Sequence, residues 1–212
     1  MSKSPKFKKS HLNDSYLKSS GFTLIELMVG VAVLGIVTMV AVPNLGKFVT
    51  KMRVDNEISE LHRLILTARN NAINSGHRVV LCPLNAANVC TNNWGDTLSV
   101  FIDVNQNNIF EAVNPLDPNP WVPGNPNGDT LLKTKAATSN RDNLTFSGGN
   151  NLAYSATGLL AVNNGNFSFC PINDLDRRRG ILITASGRPN TSSDIDNNDI
   201  DEFRDGTAIV CP

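Results

Sequence analysis

The sequence contains few of the side chains that enzymes use for proton transfer. Only three histidines occur among 212 residues, namely His11, His62 and His77. None of them lies beside a candidate nucleophile, the arrangement that nucleophilic catalysis requires. We therefore predict that the chain is not an enzyme.

The chain also has no net charge, because a basic N-terminal segment offsets an acidic remainder. Residues 1–21 carry five lysines and one acid, whereas the other residues include 14 basic and 18 acidic side chains. The remainder therefore has a net charge of −4. This acidity argues against a protein whose whole surface binds nucleic acid, but it is compatible with a local basic patch.

An apolar run follows the basic segment and extends from Phe22 to Val42. A helix needs about 20 apolar residues to cross a bilayer, so the length fits one membrane crossing. A secretory signal peptide would have a shorter apolar region with a small-residue cleavage site after it, whereas Gly21 precedes this run. Basic residues before the run predict that the leader stays cytoplasmic and that the rest faces outward.

Glu26 is the one acid in this run. A carboxylate at the centre of a bilayer costs roughly 2.5–3.5 kcal/mol on insertion scales, so a cationic partner is expected. Cleavage after Gly21 would create an α-amine on Phe22, one helical turn from Glu26 or beside the Glu26 of a neighbouring subunit. The alternative is a glutamate that only reaches toward the membrane surface, which leaves the position of Gly21 unexplained.

Residues 21–29, GFTLIELMV, resemble the type III signal sequence of type IV pilins and type II secretion pseudopilins. The resemblance implies cleavage between Gly21 and Phe22 by a prepilin peptidase, followed by N-methylation of Phe22. It also implies a helical filament in which Glu26 neutralises a neighbour's terminal amine. The apolar run ends near Pro43, as in that family. This motif covers about the first fifth of the chain.

Further short motifs resemble the FimT/FimU/GspH group of minor pilins and pseudopilins. They are Trp94–Gly95, FIDVNQN at 101–107, Leu131–Leu132, FSGG at 146–149 and SGR at 186–188. The resemblance implies a single-pass inner-membrane protein with a periplasmic head, which helps to prime or cap a type IV pilus. Its partners would be other pilins or pseudopilins. One alternative is a minor pilin that binds double-stranded DNA for natural transformation, and another is a GspH-type pseudopilin of type II secretion.

The patterning predicts an α+β protein in which a long helix packs on an antiparallel β-sheet head. A stripe of apolar residues with helical spacing follows Pro43: Val54, Ile58, Leu61, Ile65, Ala68 and Ala72. Pro43 and Gly46 predict a bend or a loosened turn, and Gly76 predicts the helix end. We divide the chain into a leader (1–21), a transmembrane helix (22–43), an amphipathic helix (44–76) and a β-rich head (77–212).

Short apolar segments between turn residues predict nine strands in the head. They are 78–82, 97–103, 130–134, 144–147, 152–155, 158–162, 167–170, 181–185 and 207–211. Five prolines and two glycines in residues 114–129 predict a long exposed loop that contains Trp121.

All four cysteines lie in the predicted head, at Cys82, Cys90, Cys170 and Cys211. An even number in an oxidising compartment favours two disulfides, for which three connectivities are possible. We favour Cys82–Cys90, which closes a short loop, and Cys170–Cys211, which ties the C-terminal region to a core strand. Zinc is the alternative, but no histidine lies at ligand spacing from these cysteines.

Two segments have oxygen-bearing side chains at the alternate positions of a calcium loop. The first segment contributes Asp103, Asn105, Asn107 and Glu111, and the second contributes Asp194, Asp196, Asn198, Glu202 and Asp205. Neither has the usual glycine at position 6, where Asn108 and Asp199 stand. The alternative is a pair of acidic, solvated turns. No cofactor is otherwise expected.

Arginines provide a candidate DNA site at Arg177, Arg178, Arg179 and Arg188. In the FimT branch a GRxR motif is linked to DNA binding, and Gly187–Arg188 matches its first half. Pro189–Asn190 replaces the second half, and an acidic segment follows. Contacts to phosphates would be salt-dependent and independent of DNA sequence. The alternative is a solvated turn whose arginines pair with nearby acids.

Overall fold

The structure is a computed structural model that describes residues 21–111, 128–161 and 164–212. Residues 1–20 of the predicted leader and most of the predicted loop at 114–129, including Trp121, lie outside the described residues. The chain divides into two compact units, one up to Leu45 and one from Gly46 to Pro212. Each unit is described by itself.

One long helix, α1, extends from Leu24 to Ser75. Its end is the predicted one, because Gly76 adopts a φ of 69° and its N–H donates to the Ala72 carbonyl. Glycine adopts this left-handed conformation at little cost. The bend at Pro43 and Gly46 stays a prediction. Among the described residues, no helix is both long enough and apolar enough to cross a membrane.

Two four-stranded antiparallel sheets form the head, with strand orders β3-β2-β1-β5 and β4-β6-β7-β8. The strands are β1 (Val79–Pro83), β2 (Leu98–Ile102), β3 (Thr130–Lys135), β4 (Asp142–Phe146), β5 (Leu152–Tyr154), β6 (Gly165–Pro171), β7 (Arg179–Ile183) and β8 (Pro189–Thr191). A 3-10 helix at Leu175–Arg177 connects β6 to β7. The α+β prediction is therefore confirmed.

The core confirms the helical stripe, because all six predicted residues are buried. They pack with apolar residues from both sheets, and Trp94 packs edge-on against Phe146 and Phe167. The opposite face of the first sheet has a smaller cluster that includes Val80, Phe101 and the first cysteine pair. Both faces of β1 are therefore covered.

Two predicted strands are wrong in the described residues, and one strand was not predicted. In 158–162, Leu160 makes only an isolated bridge to Tyr154, because a tight turn at Ser155–Gly158 leaves too few residues for a ladder. In 207–211, Ala208 makes only an isolated bridge to Glu202. The edge strand β8 begins at Pro189, and proline does not signal a strand interior.

Candidate functional site

The N-terminal end of α1 places Glu26 in a local hydrogen-bond pair with Thr23. The Thr23 N–H donates to Glu26 Oε2 at 3.2 Å, and the Glu26 N–H donates to Thr23 Oγ1 at 3.3 Å. This reciprocal arrangement is a capping box, which satisfies backbone N–H groups that a helix start leaves without partners. The spacing T-x-x-E was present in the sequence, but Thr23 was not among the predicted residues.

The apolar side chains that follow Glu26 are exposed in the unit that ends at Leu45. Between Leu27 and Leu45, the large apolar residues whose side chains the structure describes are all more than half exposed, and Phe22, before Glu26, is 87% exposed. A helix that is apolar all round belongs in a protein core, a membrane or a bundle of similar helices. This segment therefore needs an apolar environment that the single chain does not provide.

Both disulfides that the spacing favours are present in the structure. Cys82 is bonded to Cys90, and Cys170 is bonded to Cys211. The second bond ties the C-terminal segment to β6, the central strand beside β4 and β7. All four cysteines are thus engaged, which leaves none of them available as a zinc ligand.

The two candidate calcium loops share one backbone geometry; they are named here the Asp103 loop (103–111) and the Asp194 loop (194–202). In the Asp103 loop the aspartate carboxylate accepts the N–H groups of Asn107 and Asn108 at 3.2 and 3.1 Å. In the Asp194 loop it accepts those of Asn198 and Asp199 at 3.1 and 3.0 Å.

Position 6 of each loop adopts the conformation that glycine usually supplies. Asn108 has a φ of 62° and Asp199 a φ of 66°. Asparagine and aspartate tolerate this left-handed region better than other non-glycine residues. The lack of glycine therefore does not prevent these segments from folding as tight loops.

The two loops differ in the charges that they bring together. Carboxylate oxygens of Asp194, Asp196 and Glu202 all lie within 4.8 Å of one another. Asp205 is not brought to this group, because its carboxylate accepts the N–H and hydroxyl of Thr207 at 3.1 and 2.6 Å. Hard carboxylate oxygens in this number suit calcium, and binding there stays a prediction.

In the Asp103 loop the side-chain amides of Asn105 and Asn107 donate to Glu111 Oε2, so fewer oxygens point inward. Asp129, 2% exposed, packs beside this loop and accepts the N–H groups of Val104 and Glu111. Burial is the main cause that raises the pKa of Asp129, and the Asp103 and Glu111 carboxylates add to it. Sequence reasoning missed Asp129, which lies 18 residues beyond Glu111.

The four candidate DNA-binding arginines do not form one surface. Arg179 is paired with Asp55 of α1 at 3.2 Å and with Asp201. Arg188 lies beyond the other end of β7, in a turn that Thr184 closes. The Thr184 hydroxyl donates to the Arg188 carbonyl, and the Arg188 N–H donates to Thr184 Oγ1. The strand between them spans about 13 Å. Arg177 and Arg178 remain next to each other, and DNA binding stays a prediction.

Ion pairs join α1 to the head, and sequence reasoning missed them all. Arg53 is bonded to Asp142, Glu57 to Lys135 at 2.6 Å, and Asp55 to Arg179. Lys135 is only 3% exposed, so Glu57 compensates a buried charge, and its loss would leave that charge unpaired. Burial raises the pKa of Asp142 although Arg53 opposes the shift. The two residues of each ion pair are far apart in the sequence, so no local sequence pattern could have predicted the pair.

Comparisons with known proteins agree with these features. The family model described as Type II transport protein GspH matches residues 57–187, and the prokaryotic N-terminal methylation motif matches residues 17–42. The chain is 40% identical over 60 residues to a fimbrial protein of Pseudomonas aeruginosa. That alignment covers 28% of this chain and 38% of the relative, so the chain spans about two fifths of the length of the curated relatives it matches.

Two solved structures are similar at lower identity. The type IV minor pilin FimU of Pseudomonas aeruginosa is 16% identical, with a TM-score of 0.46 over 68% of this chain and 90% of that one. The minor pseudopilin EpsH from the type 2 secretion system of Vibrio cholerae is 13% identical, with a TM-score of 0.42 over 66% of this chain and 95% of that one.

An N-terminal methylation motif, followed by a β-rich head that matches the GspH model, defines a minor pilin or pseudopilin: a structural, membrane-anchored subunit, not an enzyme. The GspH match covers more than half of the sequence, and the chain belongs to the GspH family. The resemblance stated from the sequence is thereby confirmed.

Proposed function

We propose that this chain is a minor type IV pilin that crosses the inner membrane once, through residues 22–43, and primes or caps pilus assembly from a periplasmic head. The observation that carries the proposal is the exposed apolar segment from Phe22 to Leu45, which begins within the methylation motif. In the membrane, lipid would cover this segment, and in a filament the helices of neighbouring subunits would cover it. Prepilin peptidase would cut between Gly21 and Phe22.

Glu26 has two candidate roles in this proposal, and they are chemically distinct. As a capping residue it only needs an oxygen acceptor for the Thr23 N–H, which glutamine supplies as well as glutamate. As the partner of a neighbour's α-amine it needs a negative charge, because an unpaired cation in an apolar bundle is costly. The two roles respond differently to substitution.

Glu26→Gln separates the roles because it removes the charge and retains the acceptor. We expect this variant to insert into the membrane normally but to enter filaments poorly, measured by immunoblotting of sheared pili against the membrane fraction. Thr23→Ala removes the hydroxyl that accepts the Glu26 N–H, at a cost of about 1 kcal/mol, and keeps the charge. We expect it to assemble nearly as the unsubstituted protein does.

The reverse pattern, with Glu26→Gln assembling and Thr23→Ala failing, would assign Glu26 to helix capping and refute the charge-pairing role. Failure of both variants to reach the membrane would instead contradict the proposed anchor. Loss of processing of the leader can be detected as a larger band on the same immunoblot, so it is distinguished from a defect in assembly.

The second candidate is a pseudopilin of a type II secretion system. The description of the matching family model, a type II transport protein, favours it. Both candidates use the same anchor and assembly chemistry, and they differ in the machine that the filament serves. An experiment in the whole cell, in which the gene is deleted and both pili and secreted enzymes are measured, is therefore needed to distinguish the two candidates.

A further inference from the structure

One end of the head carries the turn between β6 and β7, here called the 171–178 turn (Pro171–Arg178). A cavity of about 120 Å³ lies between this turn and α1, and it is lined by Thr50, Arg53, Arg141, Pro171, Asn173 and Asp174. Thr50 and Arg53 are among the first α1 residues of the unit that begins at Gly46. The 171–178 turn therefore lies beside the first residues of the unit that begins at Gly46.

The turn displays apolar side chains that nothing in the described head covers. Ile172 is 58% exposed and Leu175 is 48% exposed, and the 3-10 helix at Leu175–Arg177 has no buried residue. Backbone hydrogen bonds hold the turn in shape, including Ile172 N–H to Arg141 O at 2.9 Å and Arg177 N–H to Asp174 O at 3.0 Å. The disulfide at Cys170 fixes its base. These two side chains are presented by a defined backbone.

Basic side chains surround the two apolar ones. Arg141 is exposed, and Arg177 and Arg178 are half-buried. In the described parts of the chain, no carboxylate forms an ion pair with these three arginines. On α1, Lys47 and Lys51 are exposed as well. The acids of the turn are Asp174 and Asp176, so the surface has an excess of positive charge.

We propose that the 171–178 turn docks on the anionic lipid headgroups of the membrane that anchors the chain. Ile172 and Leu175 enter the boundary between headgroups and acyl chains, and Arg141, Arg177 and Arg178 bind lipid phosphates. Surfaces that combine exposed apolar residues with basic ones bind membrane interfaces in this way. The inference rests on the anchorage proposed above.

The anchor keeps this surface within reach of the bilayer. Thr50 follows Val42, the last residue of the apolar run, by eight residues. Eight residues span at most roughly 28 Å even when fully extended. The tether makes contact with the membrane an intramolecular event, which raises its effective concentration.

Double-stranded DNA is the competing partner for the same arginines, and it fits less well. A phosphate backbone attracts arginine but offers no apolar surface for an isoleucine and a leucine that are about half exposed. A lipid interface accommodates both kinds of side chain. The combination therefore favours lipid over DNA.

The experiment uses the full-length chain in lipid nanodiscs that contain phosphatidylglycerol, with and without brominated acyl chains, because bromine quenches nearby tryptophan. Leu175→Trp places a reporter in the turn. Leu159→Trp is the matched control: Leu159 is 49% exposed and follows Gly158, whose carbonyl accepts from Arg69 near the C-terminal end of α1, far along the helix from Thr50 and Arg53. The native tryptophans contribute the same background to both variants.

We expect brominated lipid to reduce the fluorescence of Leu175→Trp and to leave that of Leu159→Trp at the level of the native background. Adding Arg141→Gln and Arg177→Gln to the Leu175→Trp variant should abolish this quenching while the chain remains in the disc.

Equal quenching of the two reporters in discs that retain the chain would overturn the lipid contact alone. A chain that does not co-purify with the discs would overturn the anchorage, and the lipid contact with it. If an added DNA duplex binds, and the two arginine substitutions release it without changing the quenching of Leu175→Trp, the arginines belong to a DNA site and their assignment to lipid phosphates is wrong.

Discussion

Asp129 is a carboxylic acid that the head buries next to two other acids. Its backbone hydrogen bonds stabilise the charged form, but burial outweighs them and raises its pKa above the ordinary value of 3.8. Between 3.8 and the raised pKa the folded protein binds more protons at this site than the unfolded chain does. The contribution of Asp129 to folding stability is therefore present at acidic pH and is lost as pH rises through the raised pKa.

The first residue-scale prediction compares Asp129→Asn with Asp205→Asn. The pKa of Asp205 is lowered, mainly by the hydrogen bond from the Thr207 hydroxyl, so its contribution has the opposite sign and is lost as pH falls. Urea unfolding in a chelating buffer, followed by the fluorescence of buried Trp94, measures the free energy of unfolding against pH. Asp129→Asn should lessen the fall in stability above pH 3.8, to which the raised pKa of Asp142 also contributes, whereas Asp205→Asn should not lessen it.

An unchanged pH profile in Asp129→Asn would show that this carboxyl titrates normally in the folded protein. Because the asparagine also loses one of the two backbone hydrogen bonds, a uniform loss of stability is expected at every pH. The informative quantity is therefore the slope with pH, and not the stability at one pH.

At the scale of the elements, the Asp194 loop is the better candidate for calcium, because it gathers three carboxylates where the Asp103 loop gathers two acids and two amides. Close like charges repel each other, and a divalent cation would remove that cost. The loop connects β8 to the C-terminal segment that Cys211 anchors. Binding would therefore stabilise the connection between β8 and that segment.

The calcium prediction is tested by titration calorimetry of the detergent-solubilised full-length chain. We expect heat of binding at up to millimolar calcium, and we expect Asp196→Asn to abolish it because Asp196 belongs to the carboxylate group. Asp205→Asn should retain the heat, because the Asp205 carboxylate is engaged by Thr207. The absence of heat in the unsubstituted chain would end the calcium hypothesis for both loops.

The elements show where sequence reasoning succeeds and where it stops. The stripe from Val54 to Ala72 was predictable because helical periodicity is a local signal, and it reports burial directly. Strand β8 was not predictable, because it forms by pairing with β7 and its own composition does not indicate a strand. The left-handed residues Asn108 and Asp199 were also missed, since these residue types adopt that conformation only in context.

At the scale of the whole molecule, the candidate site was predictable only where it is a linear motif. Residues 21–29, to which the proposal assigns the assembly chemistry, are consecutive in the sequence, and the motif match at 17–42 covers them. The attachment of α1 to the head depends on pairs such as Arg53 with Asp142, 89 residues apart. Contacts of that separation exist only after folding, so no pattern along the chain indicates them.

Deletion of the gene in its host separates a pilus from a secretion system. For a minor pilin we expect fewer surface pili and normal export of secreted enzymes, measured by electron microscopy and by assay of the culture medium. Restoration by the intact gene is the control. Normal piliation with loss of secreted enzymes would assign the chain to type II secretion instead, and the neighbouring genes should agree with whichever result is obtained.

The bond between Cys170 and Cys211 also imposes an order of events on biogenesis. The two cysteines are 41 residues apart, and β7, β8 and the Asp194 loop all lie between them. On the topology proposed above, the head can be covalently closed only after this whole region has passed to the oxidising side of the membrane, since thiols stay reduced in the cytoplasm. Subunits that the assembly machinery takes up before that moment would carry an open head, so oxidation can act as a checkpoint for entry into the filament.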